Sequence, residues 1–374
     1  MKKILIFISA ALMLFTGCGK KENSAKNQNK TDHLYINYGY NIYEDGYILN
    51  SEPKMYLDFA TLEKTVFCTK PNCTHKSGDC VEKIVGKTPV MYGDYIYFFY
   101  SNNGDVRETP DGREFFMESK LKRLSMETSE VEDIVFFDDC YPESGYSGRF
   151  IIDNTLYFCG HDPEPVPDEY GNFFYGSAGG TYYICGIDLD TGKYTNYGSI
   201  YEDDKQYEGA ASSSSSKIIG YYDSKIFIQY SFMKEKHTIE EIESDIDSRE
   251  LFTVLNFEFD PVTKTLKESE LPPTSYMDDD TYVYSNYPEN SSVVIDKGKT
   301  YTIDGVDTDI CGRSFNGKLF MYDGWYDITD GSKHSLGEYE DWEAVAYYDG
   351  CYVMRNFTYS NKFAKLTEEE LLAL

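Results

Sequence analysis

The sequence predicts an all-β fold, and within that class a β-propeller of four-stranded antiparallel blades. Three observations indicate this fold. Short strands rich in aromatic and β-branched residues fill the chain from Leu34 onward, clusters of turn residues separate them, and no regular alternation of strands with helices appears. An antiparallel unit that recurs along residues 34–374 is typical of propellers.

Each repeat contains one aromatic strand followed by a hairpin, and we place that strand second in its blade. Seven such strands predict seven blades, with six or eight as alternatives because the boundaries between residues 270 and 340 are weakly marked. We expect LYINYG (34–39) to complete the last blade. The seven strands are GYILN (46–50), DYIYFFY (94–100), TLYFCG (155–160), KIFIQY (225–230), TYVYSN (281–286), KLFMYDG (318–324) and CYVMRN (351–356).

Two hairpin turns and two capping boxes mark the ends of these elements. Asp-Thr-Gly-Lys (190–193) and Asp-Lys-Gly-Lys (296–299) predict turns in which glycine supplies a positive φ angle. Thr238-x-x-Glu241, with isoleucines at helical spacing up to residue 246, predicts one short inserted helix. Thr367-x-x-Glu370 predicts a capped turn near residue 374 that includes Leu371 and Leu372.

The first residues read as a targeting signal. Lys2 and Lys3 precede an apolar run (4–15) that ends at Thr16-Gly17-Cys18, the pattern of a lipoprotein signal peptide. We therefore expect residues 1–17 to be removed and Cys18 to be acylated, with 18–33 as a flexible tether and 34–374 as the propeller domain. This organisation predicts a lipid-anchored protein on the extracytoplasmic face of the cell membrane.

The charge of the chain excludes one class of partner. The formal net charge is -29 at pH 7. Such a field repels phosphate backbones, so nucleic acid binding is not expected. It also repels anionic lipid surfaces, which leaves the acyl chains on Cys18 as the expected attachment to the membrane.

The segment Cys68-x4-Cys73-x-His75-x4-Cys80 places four soft or borderline ligands between the first and second blades. Three interpretations stay open at this point: a disulfide between two of the cysteines, a structural zinc ion held by all four residues, or free thiols. The first two would staple the end of blade one to the start of blade two. Four protein ligands would leave no open position for a substrate.

This segment, FCTKPNCTHKSGDC (67–80), resembles one found in a group of uncharacterised TolB-like β-propeller lipoproteins of Gram-positive anaerobes. Their segment reads Cys-x-x-Pro-x-Cys-x-His-x4-Cys, which this chain matches at Cys68, Pro71, Cys73, His75 and Cys80. The resemblance is specific over residues 55–100 and architectural elsewhere. It implies a propeller and a lipoprotein, and it implies no activity.

No catalytic residues are assigned, because the sequence contains no recognisable nucleophile, metalloprotease or phosphate-binding motif. We therefore expect a ligand-binding or scaffold module rather than an enzyme, with a polysaccharide, a peptide or another envelope protein as partner. The alternative is a carbohydrate-active hydrolase or lyase that uses the propeller channel. No cofactor is expected beyond the zinc ion considered above.

Overall fold

The computed structural model describes residues 34–36, 41–42, 45–49, 51–70, 72–78, 80–86, 89–101, 105–109, 112–116, 119–137, 141–142, 148–162, 165–167, 173–175, 180–203, 215–233, 252–273, 276–277, 280–286, 291–305, 313–321, 324–356 and 362–374. All of them belong to one unit, Leu34–Leu374. The predicted lipidation site Cys18 and the predicted helix at 238–246 lie outside the described residues.

The described residues form short strands and little helix, as expected for an all-β chain. The helices are α1 (Val81–Ile84) and α2 (Glu368–Leu372), and Gly337–Tyr339 form a 3-10 turn. The strands are β1 (Leu34–Ile36), β2 (Asn41–Ile42), β3 (Gly46–Leu49), β4 (Met55–Asp58), β5 (Lys64–Val66), β6 (Val90–Tyr92), β7 (Tyr95–Ser101), β8 (Asp105–Thr109), β9 (Gly112–Phe116), β10 (Ser119–Ser125), β11 (Val131–Phe137), β12 (Tyr141–Pro142), β13 (Arg149–Ile152), β14 (Thr155–Asp162), β15 (Pro165–Pro167), β16 (Phe173–Tyr175), β17 (Gly180–Asp188), β18 (Tyr194–Asp203), β19 (Ser215–Tyr222), β20 (Lys225–Met233), β21 (Phe252–Asp260), β22 (Thr265–Glu268), β23 (Tyr276–Met277), β24 (Thr281–Asn286), β25 (Ser291–Asp296), β26 (Lys299–Asp304), β27 (Arg313–Phe315), β28 (Lys318–Met321), β29 (Gly324–Asp327), β30 (Lys333–His334), β31 (Trp342–Tyr348), β32 (Cys351–Asn356) and β33 (Phe363–Thr367).

Seven antiparallel sheets follow one another along the chain and confirm the seven-bladed propeller. The blades are β2–β5, then β6, β7, β10 and β11, then β13, β14, β17 and β18, then β19–β22, β23–β26, β27–β30 and β31–β33. Each of the seven aromatic strands selected from the sequence is the second strand of its blade. Blade seven has three strands in the described part of the chain, whereas four were expected.

The closure of the ring differs from the prediction. Residues 34–36 do not join blade seven. They form β1, which pairs antiparallel with β13, the first strand of blade three, with Tyr35 opposite Phe150. Side chains close the seam between blades seven and one instead, because Arg355 donates to Tyr47 Oη at 2.7 Å and Phe59 packs on Tyr348.

The third and fourth strands of five blades are joined by the same turn. Its fifth residue has a positive φ angle and donates its N–H to the carbonyl of the first residue at 2.8–2.9 Å. The first and fifth residues are Asp58 and Leu62, Ser125 and Ser129, Asp188 and Gly192, Asp260 and Lys264, and Asp327 and Gly331. Glycine holds the left-handed position in two of the five, so the predicted role of Gly192 is confirmed.

A backbone hydrogen bond links this turn to a second turn at the same end of the blade. In four blades the N–H of its second residue donates to a carbonyl in the turn between the first and second strands. The pairs are Phe59 to Asp45, Met126 to Asp94, Leu189 to Asn154 and Ile328 to Gly317, at 2.8–3.0 Å. These bonds give one end of the propeller a regular, hydrogen-bonded surface.

Aromatic side chains fill the spaces between neighbouring blades. Phe99 of blade two packs on Phe158 of blade three with ring centroids 5.0 Å apart. Buried tyrosines play the same part, and Tyr282 of blade five donates its hydroxyl to the carbonyl of Pro272. Tyr282 thus supplies apolar area while its hydroxyl finds a partner.

Candidate metal centre

The four residues selected between blades one and two come together in the structure. The three sulfur atoms of Cys68, Cys73 and Cys80 and an imidazole nitrogen of His75 all lie within 4.8 Å of one another. His75 Nδ1 is 3.4 Å from Cys80 Sγ. A tetrahedral zinc ion with bonds of about 2.3 Å to sulfur and 2.0 Å to nitrogen sets a sulfur–nitrogen separation of about 3.5 Å. The cluster could therefore bind a metal such as zinc after a small contraction.

Two tight turns bring the ligands together. The N–H of Cys73 donates to the carbonyl of Lys70, and that of Cys80 donates to the carbonyl of Ser77. Asn72 and His75 both have φ angles of 58°, in the left-handed region that costs about 1–2 kcal/mol for a residue with a Cβ. Such backbone angles persist where the surrounding structure holds them in place.

Each cysteine sulfur accepts a hydrogen bond from the backbone N–H two residues later in the chain. The donor and acceptor pairs are Lys70 to Cys68, His75 to Cys73, and Glu82 to Cys80. The N–H of Val81 also donates to Cys68. Donors aimed at sulfur stabilise the thiolate form, which is the form that binds metal ions.

The thiols differ in acidity. Burial opposes ionisation of Cys68, but the N–H groups of Val81 and Lys70 and the thiols of Cys80 and Cys73 outweigh it and hold the pKa of Cys68 below its usual value. Burial raises the pKa of Cys80 to about 11, and neighbouring Cys68 adds to this rise. A divalent cation would offset the repulsion between thiolates.

The cluster joins two blades. Thr69 Oγ1 lies 3.1 Å from Ser129 Oγ in the turn between β10 and β11. Lys54 directly precedes β4, and its Nζ donates to the carbonyl of Glu82 in α1 at 3.0 Å. Val81 of α1 is fully buried in the same core as the second strand of blade two. A closed four-ligand site at this junction can stabilise the fold and leaves no coordination position for a substrate.

The cysteines outside the cluster have different surroundings. Cys159 and Cys185 are fully buried in strands, as expected of small apolar residues, and Cys351 is half-buried. All six cysteines in the described part of the chain are free thiols in the structure. Among the described residues, no helix is both long and apolar enough to cross a membrane.

Sequence reasoning missed two features near candidate sites. The first is α1, which begins directly after Cys80 without a side-chain cap and has too few residues to show helical periodicity. The second is a cavity in blade four beside an ion-paired group, Lys225, Glu258 and Lys267. Lys225 lies 33 residues before Glu258, and the three side chains meet only through strand register.

Comparison with known proteins adds no family. No protein-family model and no curated protein sequence matches this chain. Solved structures that are similar to it include the oligogalacturonate lyase from Vibrio parahaemolyticus (12% identity, 89% of this chain and 79% of that chain, TM-score 0.34). The β-propeller domain of the Trilobed protease from Pyrococcus furiosus, described as having an open velcro topology, is 12% identical over 91% of this chain and 98% of that chain, with a TM-score of 0.39.

A third similar structure is a polysaccharide lyase of family PL25, an ulvan lyase (11% identity, 82% of this chain and 80% of that chain, TM-score 0.38). At these identities and TM-scores the likeness concerns the fold alone and carries nothing about activity. The fold and the site define a class only, a seven-bladed antiparallel propeller with a Cys3His cluster between its first two blades.

Proposed function

We propose that this chain is a lipid-anchored extracytoplasmic lipoprotein whose propeller acts as a ligand-binding or scaffold module, with a structural zinc ion at the Cys3His cluster. Zinc fits the ligand set because it binds thiolate and imidazole in tetrahedral sites. The lipobox ending at Cys18 and the polar tether after it support the anchored location.

The observation that carries the zinc assignment is the convergence of all four ligand atoms within 4.8 Å of one another. A disulfide would join two of the three thiols, leave the third unused and give His75 no role. A metal ion uses all four residues, and the N–H groups then stabilise bound thiolates. A site with four protein ligands is structural, which agrees with a module whose ligand binds elsewhere.

Metal analysis of the full-length protein, purified in mild detergent, tests this assignment. We expect one zinc ion per chain, a lower melting temperature after chelation, and little response to a reductant. Cys73→Ser and His75→Ala should each lower the melting temperature and lose the zinc, because a closed site contributes directly to folding.

Cys351→Ser is the matched control, since this half-buried thiol lies outside the cluster. If a reductant destabilises the protein and His75→Ala does not, the disulfide interpretation replaces the metal. If Cys73→Ser and His75→Ala leave stability unchanged but abolish ligand binding, the segment is a functional site and not a staple.

Labelling with a radioactive fatty acid tests the anchor. Cys18→Ala should abolish the label and either release the protein from the membrane or leave uncleaved precursor. Label that persists on the variant would contradict the lipobox assignment. A pull-down from glycan and cell-envelope extracts then tests the binding role, and degradation of a captured glycan would favour the alternative, a hydrolase or lyase.

A further inference from the structure

The pairing of β1 determines at which end of the propeller the chain enters it. β1 runs antiparallel to β13, with Leu34 opposite Ile151 and Ile36 opposite Arg149. β13 leads directly into the turn at residues 153–154, at the end where backbone hydrogen bonds link the turns of four blades. We call this the turn end. The chain therefore enters the propeller close to the turn end, and β1 runs away from it.

β1 lies on the inner side of blade three. In that sheet it adds to the free edge of β13, the first strand of the blade. First strands of neighbouring blades contact one another, as strands around the central channel of a propeller do, because β19 contacts β23 and β27 contacts β31. β1 also contacts β2, the first strand of blade one. The chain thus enters along the axis, inside the ring of blades.

β2 runs in the opposite direction along the axis. Asn41 stands opposite Ile48 and Ile42 opposite Tyr47, so β2 runs towards the turn end and begins farther from it. At the other end, which we call the loop end, the hairpins β8–β9 and β15–β16 extend blades two and three, and β9 contacts β16. If β1 were unpaired, the propeller would begin at β2 and the preceding chain would leave at the loop end. The pairing with β13 reverses that exit.

The length of the segment before β1 limits how an anchored propeller can turn. Residues 18–33 are 16 residues, with an r.m.s. extension of about 22 Å as a flexible chain and a reach of at most about 55 Å. A compact domain of the size of residues 34–374 has a radius of gyration of about 20 Å, so the path over its surface from end to end is about 80 Å. The segment is too short for that path. A membrane that holds Cys18 therefore lies on the side of the turn end.

The charge of the turn end does not reverse this preference. Asp58, Asp188 and Asp260 each begin a turn there, and anionic lipids would repel them. The repulsion falls off within a Debye length of about 8 Å at physiological ionic strength. A segment with an r.m.s. extension of about 22 Å holds the propeller beyond that range. Repulsion therefore sets a distance from the membrane and does not turn the propeller over.

We propose that the turn end of the anchored propeller faces the membrane, and that the loop end with its two hairpins is the exposed surface that meets ligands from outside. The pairing of β1 with β13 sets this orientation. The inference rests on the proposed lipid anchor, and it adds the surface through which the binding module works.

Energy transfer to dye-labelled lipids in vesicles tests the orientation of the full-length acylated protein. A donor dye is attached through p-azidophenylalanine in place of Val262, 82% exposed at the turn end, or of Phe136, 57% exposed near the loop end of β11. Transfer from position 262 should be about twofold or more stronger than from position 136, because a strand of seven residues such as β11 separates the two ends by about 20 Å.

The variant Leu34→Gly/Tyr35→Pro/Ile36→Gly tests the role of β1. Glycine and proline weaken strand pairing, so the chain before β2 should separate from β13 and leave at the loop end. The fold should survive, because blade three has four strands without β1. Transfer from position 262 should then no longer exceed transfer from position 136.

The matched control is Lys26→Gly/Asn27→Pro/Gln28→Gly, which makes the same changes before β1 and should keep the wild-type difference. Equal transfer from the two positions in the wild type, or stronger transfer from position 136, would overturn the inference. A wild-type difference that persists in the β1 variant would also overturn it. A protein that does not stay on the vesicles contradicts the lipid anchor and this inference with it, whereas bound protein with equal transfer contradicts the orientation alone.

Discussion

Single residues at tight turns show how much local strain the propeller tolerates. In the two-residue turn of blade five, Lys297 and Gly298 have φ angles of 47° and 75°. A residue with a Cβ pays about 1–2 kcal/mol in this region, whereas glycine does not. Because the Lys297 side chain is exposed, backbone strain is the main effect of this residue on the stability of the protein.

Two substitutions in this turn should change stability in opposite directions. Lys297→Asn should raise the free energy of unfolding by about 0.5–1 kcal/mol, because asparagine followed by glycine suits such a turn. Gly298→Ala should lower it by about 1–2 kcal/mol through strain alone, since a Cβ there meets no atom within 4 Å. Urea denaturation measures both, and equal stability of the two variants would contradict the argument.

At the scale of the element, the shared turn of five blades gives the propeller part of its pH dependence. In blade three, Asp188 Oδ1 accepts from Thr191 Oγ1 at 2.7 Å and from Thr191 N at 2.8 Å. These bonds hold the pKa of Asp188 below its usual value. The native state therefore gains stability from this carboxylate above its unfolded-state pKa of about 3.9 and loses it as the pH falls through the lower native pKa.

Asp188→Asn should make the free energy of unfolding fall less steeply between about pH 4 and pH 2, because one titrating group is removed. The amide oxygen of asparagine can still accept both bonds, so the turn should survive. Urea midpoints measured across this pH range test the prediction. Asp190→Asn, an exposed change in the same turn, is the control, and a variant slope equal to that of the wild type would sink the idea.

The short helix α2 takes its stability from tertiary packing. Thr367 and Glu370 form the predicted capping box, with Thr367 N donating to Glu370 Oε2 at 2.8 Å. Leu371 is 1% exposed and packs in the core shared by blades six and seven, whereas Leu372 is 60% exposed. A helix of this length is not stable alone in water, so its buried leucine must hold it in place.

Leu371→Ala should lower the free energy of unfolding by about 2–5 kcal/mol, the usual range for deleting a buried leucine side chain. Leu372→Ala is the neighbouring control and should change it by less than about 0.5 kcal/mol. Thermal and urea denaturation both report the difference. Similar losses for the two variants would mean that α2 is not anchored as described.

At the scale of the whole molecule, side chains of blades seven and one meet across the seam of the ring. Arg355 of blade seven pairs with Glu343 on the neighbouring strand and also donates to Tyr47 of blade one. Both charged side chains are largely buried, at 18% and 14% exposure. A buried ion pair contributes little net stability, but breaking it leaves an unpaired charge away from water.

Arg355→Met should therefore lower the free energy of unfolding by about 3–5 kcal/mol, because Glu343 loses its ion pair with Arg355. The double variant Arg355→Met/Glu343→Met should recover most of that loss, since an apolar pair of similar size needs no charge compensation. Denaturation of the wild type and the three variants completes the cycle. A double variant as unstable as Arg355→Met alone would rule out the unpaired charge as the cause.

Local signals in the sequence account for most of the fold. The seven second strands, the turn at Gly298 and the capping box at Thr367 depend on residues within a few positions of one another, so pattern and propensity identify them. The Cys68–Cys80 segment is equally local, and its spacing was enough to select the candidate site. The structure adds that its four ligand atoms lie within 4.8 Å of one another, and the zinc proposal starts from that geometry.

The sequence by itself determined the all-β class, seven as the favoured number of blades with six or eight left open, and the residues of the candidate metal centre, because short-range periodicity and ligand spacing encode them. Tertiary structure alone decided the partner of β1, the formation of α1 and the meeting of Lys225 with Lys267 at Glu258. Those features depend on which strand edges and side chains come together across tens or hundreds of residues. Many pairings of strands and side chains would satisfy the local sequence pattern equally well, and the packing of the complete ring selects among them.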